Sequence, residues 1–194
     1  MVFNSIEFAI FLPIAFVFYW YVFNKSLKLQ NFFVVLISYI FYGFWDFRLL
    51  GILFGVSMLS WLLGNLIYRY KNENRRGYWL SLLNILLSVS LLFVFKYYNF
   101  FAESLARYIH PENSNQILLK IVVPVGMSFY LFKSMSYTLD IFRSKIKPES
   151  DFVNYMAYIS FFPQIFAGPI ERPGNLLPQF AEKRNFDYAL AAGG

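Results

Sequence analysis

The apolar positions of this chain gather into long uninterrupted runs. Seventeen uncharged residues lie between Glu7 and Lys25, and seventeen more between Lys28 and Asp46. Hydrocarbon roughly 30 Å thick needs about 17–25 helical residues, so both runs reach the lower limit for crossing it. From Leu49 to Tyr68 there are twenty, closed by Arg69, and from Gly77 to Phe95 nineteen, closed by Lys96. These two lengths suit spanning helices well. A further apolar stretch runs from Lys120 to Arg143 and carries charges inside it, and a last uncharged run of nineteen, Phe152 to Ile170, is interrupted by Pro163, Gly168 and Pro169. The pattern predicts an all-α polytopic membrane protein with about five or six membrane helices, the last element near 160–172 being broken or re-entrant. No fixed-period repeat, low-complexity tract or separate soluble domain interrupts residues 1–194, which read as one membrane domain.

Composition agrees. Apolar side chains make up 58% of the 194 residues, charged ones 14%, and the mean hydropathy is +0.48, where a soluble domain carries about 25% charge. Aromatics at 23% suit packing against acyl chains and interfacial belts. The absence of cysteine excludes disulfides, cysteine-ligated metals and thiol nucleophiles, and the single histidine, His110, leaves little room for a metal site. The net charge of +6 raises nucleic acid as a partner, but the basic residues fall in short clusters between apolar runs and form no stripe, so none is expected.

The clusters read instead as topology. If the first four helices alternate in direction, Lys25, Lys28, Arg69, Lys71, Arg75 and Arg76 share one side, and Arg48, Lys96 and Arg107 share the other with Asp46, Glu103 and Glu112. Basic residues favour the cytoplasm, which places the N-terminus and the 96–117 connection outside and returns a fifth crossing inward at Arg143, Lys145 and Lys147. The start, Met1-Val-Phe-Asn-Ser, lacks the basic region of a cleaved signal peptide, so the first run is expected to stay in the protein.

Candidate chemistry lies in the second half. At about 100° per residue, Lys133, Ser136, Tyr137, Asp140 and Arg143 share a polar helix face. Charge at bilayer depth costs about 2.5–3.5 kcal/mol on insertion scales and usually faces partners, a bundle interior or a water-filled cavity. The stripe is therefore a candidate site; the alternative is an interfacial helix whose Lys133 snorkels and whose Asp140 is wet. In the run Ser160-Phe-Phe-Pro-Gln-Ile-Phe-Ala-Gly-Pro-Ile-Glu-Arg172, proline removes a helical hydrogen bond, and lipid cannot satisfy the freed backbone. We read it as a broken element in a pocket wall, with Pro163, Gln164, Gly168, Pro169, Glu171 and Arg172 beside Lys133, Tyr137 and Asp140 as lining residues. The alternative is an ordinary helix ending near Pro163 with an interfacial turn.

Two passages carry a specific resemblance: Val123-Pro-Val-Gly-Met-Ser-Phe-Tyr-Leu-Phe-Lys-Ser-Met-Ser-Tyr-Thr-Leu-Asp-Ile-Phe-Arg143, and Tyr158-Ile-Ser-Phe-Phe-Pro-Gln-Ile-Phe-Ala-Gly-Pro-Ile-Glu-Arg172 followed by Leu177-Pro178-Gln179. With Lys96-Tyr-Tyr-Asn-Phe-Phe101 and the opening residues, they resemble the membrane-bound O-acyltransferase (MBOAT) family, in particular its branch of bacterial alginate O-acetyltransferase membrane subunits. That resemblance implies a multi-pass enzyme of the bacterial inner membrane. It takes an acetyl group from acetyl-CoA or a similar cytoplasmic thioester and relays it across the membrane for O-acylation of an exported polysaccharide. It also implies an extracytoplasmic partner of the SGNH class. Family members are longer, and their essential histidine lies in a Trp-His segment that these residues do not contain, so the chain reads as an N-terminal fragment with no catalytic residue of its own. His110, beside Pro111-Glu112-Asn113, reads as a loop histidine and does not match that segment. Arg143, Lys145 and Lys147 stand on the side from which a phosphate-rich donor enters, although the positive-inside rule alone explains them. No bound cofactor is expected. The other function classes are a transporter or channel component, which should show a second related half, and a noncatalytic membrane scaffold.

Overall fold

The computed structural model describes residues 5–44, 46–71, 73–98, 101, 126–169, 171–184, 186 and 188. Every regular element among them is helical. Helix α1 (Ile6–Val17) is opened by Ser5, whose hydroxyl accepts from Phe8 N–H at 3.3 Å, and runs on through a π-helical turn, Phe18–Val22. Ser26 opens α2 (Leu27–Gly43) in the same way, accepting from Leu29 N–H at 3.2 Å. Such side-chain caps satisfy amides that a helix start leaves unpaired. Helices α3 (Leu50–Arg69) and α4 (Asn74–Leu92) follow. With their flanking turns they form the continuous segments Phe47–Arg69 and Arg75–Tyr97, each 23 residues and long and apolar enough to cross a bilayer.

The remaining elements are shorter than these two. The α1 and α2 segments, Ile6–Val22 and Leu27–Gly43, are apolar but below that length. Helix α5 (Met127–Phe142) has 16 residues. The last long run divides into α6 (Phe152–Ser160) and α7 (Phe162–Ala167), before α8 (Pro173–Ala181). His110 and the 96–117 connection fall largely outside the described residues.

Helix α5 packs on α3 and α4, while α6 sits between α2 and α3 with α8 against it. Residues 154–160 of α6 are all buried, so this short helix is the centre of the bundle. Around it the usual polarity is inverted. On α4 the buried side chains are Ser81, Asn84 and Ser88, at the spacing of one helix stripe, whereas Trp79 is 58% and Leu86 55% exposed. On α3 the inside is mixed, Ser57 and Ser60 being fully buried beside Leu53 and Ile67, while Phe54, Met58 and Leu62 face outward. A helix in water does the opposite. Leucine outside with serine and asparagine inside is the pattern of helices in lipid, where close packing and interhelical hydrogen bonds replace the hydrophobic drive between helices.

Several of these buried polar groups join helices to one another. Asn84 Nδ2 donates to Thr138 Oγ1 at 2.9 Å, Ser134 O at 3.1 Å and Ser134 Oγ at 3.2 Å, which joins α4 to α5. Ser60 Oγ and the Tyr155 hydroxyl meet at 2.7 Å, joining α3 to α6. At Gly64 a Cβ would stand 2.5 Å from Tyr137 Cε1, so α3 and α5 approach there only because the side chain is missing. Interhelical hydrogen bonds in membranes contribute about 0.6–1.7 kcal/mol. Asn84→Leu is accordingly expected to destabilise the protein in detergent by about 1–3 kcal/mol. Thermal unfolding followed by circular dichroism checks this, and an unchanged midpoint would show that the triad contributes nothing.

Candidate functional site

The centre of interest is the junction between α6 and α7. In an unbroken helix the Phe162 N–H would donate to the Tyr158 carbonyl four residues earlier. Here Phe161 takes φ −52°, ψ 102° and the chain steps out of helical geometry. Pro163 follows in the first turn of α7, where its missing N–H costs nothing, and it has no N–H to return to the Ile159 carbonyl.

The hydrogen bond opened by this step is completed from two other helices. Phe162 N–H donates to Ser38 Oγ on α2 at 3.3 Å, and the Tyr158 carbonyl accepts from Lys133 Nζ on α5 at 3.0 Å. The two halves of one backbone bond are thus held apart by α2 on one side and α5 on the other. Lys133 is 1% exposed, and its ammonium lies 5.0 Å from the centre of the Tyr158 ring, so a cation–π contact adds to the carbonyl bond. Among the described residues the single ion pair is Arg76–Glu73, on the surface. The Lys133 charge is therefore met by a carbonyl dipole, a ring face and the field of Glu171, which is near enough to act on it.

The other end of the break is fixed by Gly126, the residue before α5. It has φ 72°, ψ 1°, a left-handed conformation, and a Cβ there would fall 2.1 Å from Ile165 Cγ2 and 2.6 Å from the Ile165 carbonyl oxygen. The start of α5 thus lies directly on the backbone of α7. Gly168, which ends α7 in extended geometry, could not carry a Cβ without coming within 2.7 Å of Gln164 Cα. Beside it, Gln164 Oε1 is buried with no hydrogen-bond partner among the described residues.

These positions sort the sequence candidates. Lys133 and Tyr137 lie on the buried face of α5, and Tyr137 binds the following loop by accepting from Glu149 N–H at 3.0 Å. Asp140, on the same helix, is half-buried and its charge acts on Tyr158. Pro163, Gln164, Gly168 and Glu171 are half-buried, whereas Pro169 and Arg172 are exposed. The structure therefore brings Lys133, Asp140 and Glu171 around the end of α6. Arg143, Lys145 and Lys147 all stand exposed on the α5–α6 loop. That loop opens with Ser144 at φ 57°, closing α5 through a bond from Lys145 N–H to the Asp140 carbonyl at 2.9 Å. It is anchored further on by Trp61 Nε1, which donates to the Glu149 carbonyl at 2.8 Å. Among the described residues no group of three or more His, Cys, Asp or Glu stands ready to hold a metal ion.

Sequence reasoning passed over Ser38, which holds the freed amide, and a second polar network. In that network Asn31 Nδ2 donates to Asn154 Oδ1 at 2.7 Å and to the Phe180 carbonyl at 2.6 Å, while Arg184 donates to Asn31 Oδ1. The available signal was an amide side chain inside an apolar run, which lipid cannot satisfy.

Comparison with known proteins now bears on these motifs. The probable alginate O-acetylase of Pseudomonas aeruginosa is 30% identical over 195 residues, covering 100% of this chain and 37% of that protein. The chain is similar to alginate O-acetylases along its whole length. The Pseudomonas putida protein of the same name is 32% identical over 93% of this chain and 37% of its own length. A peptidoglycan O-acetyltransferase of Helicobacter pylori is 27% identical, over 90% of this chain and 37% of its own. The resemblance to O-acyltransferases of the alginate type is thereby borne out. The chain spans little more than a third of the length of these relatives. No family profile matches it, and no solved structure does.

Proposed function

We propose that these residues belong to the membrane subunit of an O-acetyltransferase that modifies an exported polysaccharide. The observation that carries this reading is the similarity to named O-acetyltransferases over the whole chain. The inverted polarity of α4 and the apolar outer face of α3 support a membrane setting, here the bacterial inner membrane, with about five or six embedded helices and the N-terminus outside. The acceptor is a polysaccharide such as alginate, the donor acetyl-CoA or a similar thioester, and an SGNH-type protein outside the membrane completes the transfer.

In the reaction a base removes the proton of the acceptor hydroxyl, the oxygen attacks the thioester carbonyl, and the thiolate leaves as the acyl–oxygen bond forms. These residues supply walls and dipoles, with the base coming from elsewhere in the protein. The α6–α7 break supplies non-helical backbone, and the Gln164 oxygen, unpartnered among the described residues, is the acceptor for a bound hydroxyl. Pro163, Gly168, Pro169, Glu171 and Arg172 shape the same wall, with Lys133, Tyr137 and Asp140 behind it. Arg143, Lys145 and Lys147 meet the donor phosphates.

The test is an acetyl-transfer assay on the full-length protein with labelled acetyl-CoA and candidate polysaccharides; transfer to none of them would refute the reading. In that assay the double variant Lys145→Gln/Lys147→Gln is expected to raise KM for the donor roughly tenfold, two charge-assisted contacts being lost, with kcat little changed. Unchanged donor affinity would remove these lysines from the donor site.

A further inference from the structure

A cleft of about 290 Å³ opens between α1, α2, α7 and α8, with Phe161 and Phe162 of the break in its wall and Lys133 outside its lining. Its wall is graded along α1. At the apolar end stand Leu12, Ala15 and Val34; at the other end are Tyr19, Trp20 and Arg184. Leu12 and Tyr19 are seven residues apart, roughly 10 Å along the helix. A second cavity of about 160 Å³ shares Phe16 and Trp20 with the first and continues it past Asn24. The result is an apolar trough beside a membrane helix, with its one cation at the end where the α1–α2 turn carries exposed Lys25 and Lys28.

Arg184 is held in place there. It lies 5.5 Å from the Tyr19 ring centre and 5.4 Å from that of Phe180, and it donates to Asn31. Guanidinium has five N–H donors, and Nε of Arg184 is buried without a hydrogen-bond partner among the described residues. A rigid guanidinium with a spare donor matches a phosphate, and basic pockets between membrane helices on the cytoplasmic side take anionic headgroups. Tyr19 and Trp20 beside it have the amphipathic rings of the headgroup level.

We infer that this cleft binds one anionic glycerophospholipid, its phosphate on Arg184 and an acyl chain lying along α1 toward Leu12. The occupant follows from charge complementarity at one end and an apolar wall at the other: a free phosphate has no use for the trough, and a zwitterionic choline lipid, although it carries the same phosphate, brings a cation to an end already positive with Arg184, Lys25 and Lys28. The inference rests on the membrane setting and is independent of acetyl transfer.

The test uses the full-length protein in nanodiscs of equal parts phosphatidylglycerol and phosphatidylcholine, followed by release into detergent and native mass spectrometry of the retained lipid. Wild type is expected to retain phosphatidylglycerol in preference to phosphatidylcholine. Arg184→Gln is expected to lower phosphatidylglycerol retention roughly fivefold, to the phosphatidylcholine level. Because Arg184 also binds Asn31, a second variant is needed that leaves this network intact: Leu12→Trp fills the trough and is expected to reduce retention of both lipids. Glycerol 3-phosphate, which has the phosphate and no chain, should displace neither. Retention indifferent to headgroup would overturn the inference. So would displacement by glycerol phosphate, which marks a site for a soluble anion, or a Leu12→Trp variant that retains lipid like wild type, which marks a trough filled by protein.

Discussion

Gly126→Ala is expected to be the most destabilising single-methyl change in the described part of this protein. The residue is left-handed at φ 72°, which costs an alanine about 1–2 kcal/mol. The new methyl would also lie 2.6 Å from a backbone oxygen that cannot rotate away, and overpacking of this kind costs about 1–3 kcal/mol more. A loss of about 2–5 kcal/mol should appear as a clear fall in Tm in detergent. Gly51→Ala and Gly55→Ala are the controls, since a Cβ at either position meets nothing within 4 Å. Both lie inside α3 and should be neutral or stabilising, alanine being the better helix former by about 1 kcal/mol. Equal effects at all three positions would mean that α5 does not rest on α7 as described.

Lys133→Met should separate activity from stability. The substitution keeps the apolar stem and removes the donor to the Tyr158 carbonyl, a charge-assisted bond whose loss costs about 1.5–3 kcal/mol. It also relieves the burial of an ammonium that has no carboxylate in ion-pair range among the described residues, and that relief is itself several kcal/mol. The two effects oppose each other, so Tm is expected to move little. The geometry of the break has no such compensation. With its carbonyl released, the end of α6 at the break is no longer tied to α5, and a displacement of about 1 Å at a reacting centre costs up to about a hundredfold in rate. Acetyl transfer by the full-length variant should fall at least about tenfold. Lys133→Arg, which keeps a donor, should recover part of the rate. Ser38→Ala releases the opposite half of the same backbone bond and should act in the same direction more weakly, since a neutral hydrogen bond contributes about 0.5–1.5 kcal/mol. Full activity in Lys133→Met would reduce the lysine to packing.

Much of this region was legible in one dimension. Pro163 together with Gly168 and Pro169 inside one apolar run announced a break, whereas the lone Pro13 is carried inside the continuous helix α1. Lys133 announced itself as a residue needing shelter, because charge at depth needs a partner wherever the helix is placed. Its partner could not be read. The Tyr158 carbonyl lies 25 residues along the chain, and a carbonyl carries no mark in the sequence. Ser38 was hidden for a related reason: it is 124 residues from Phe162, in a run where serine serves equally well as a small packing residue. Reading helix lengths from charge-free runs succeeded through α4 and overran in the second half, since the runs at 152–170 and 120–143 contain a break and a turn that absence of charge does not record.

Residue order alone determined the helical class, the apolar exterior, the place of the break and the need to shelter Lys133, because these follow from backbone chemistry and from the cost of polar groups in hydrocarbon. Only the tertiary structure decided which groups meet. It joined one divided hydrogen bond to α2 and α5, set Gly126 on the backbone of α7, and aligned Arg184 with an apolar trough. Such pairings depend on how helices far apart in sequence come to share a surface, which periodicity along any one of them does not encode.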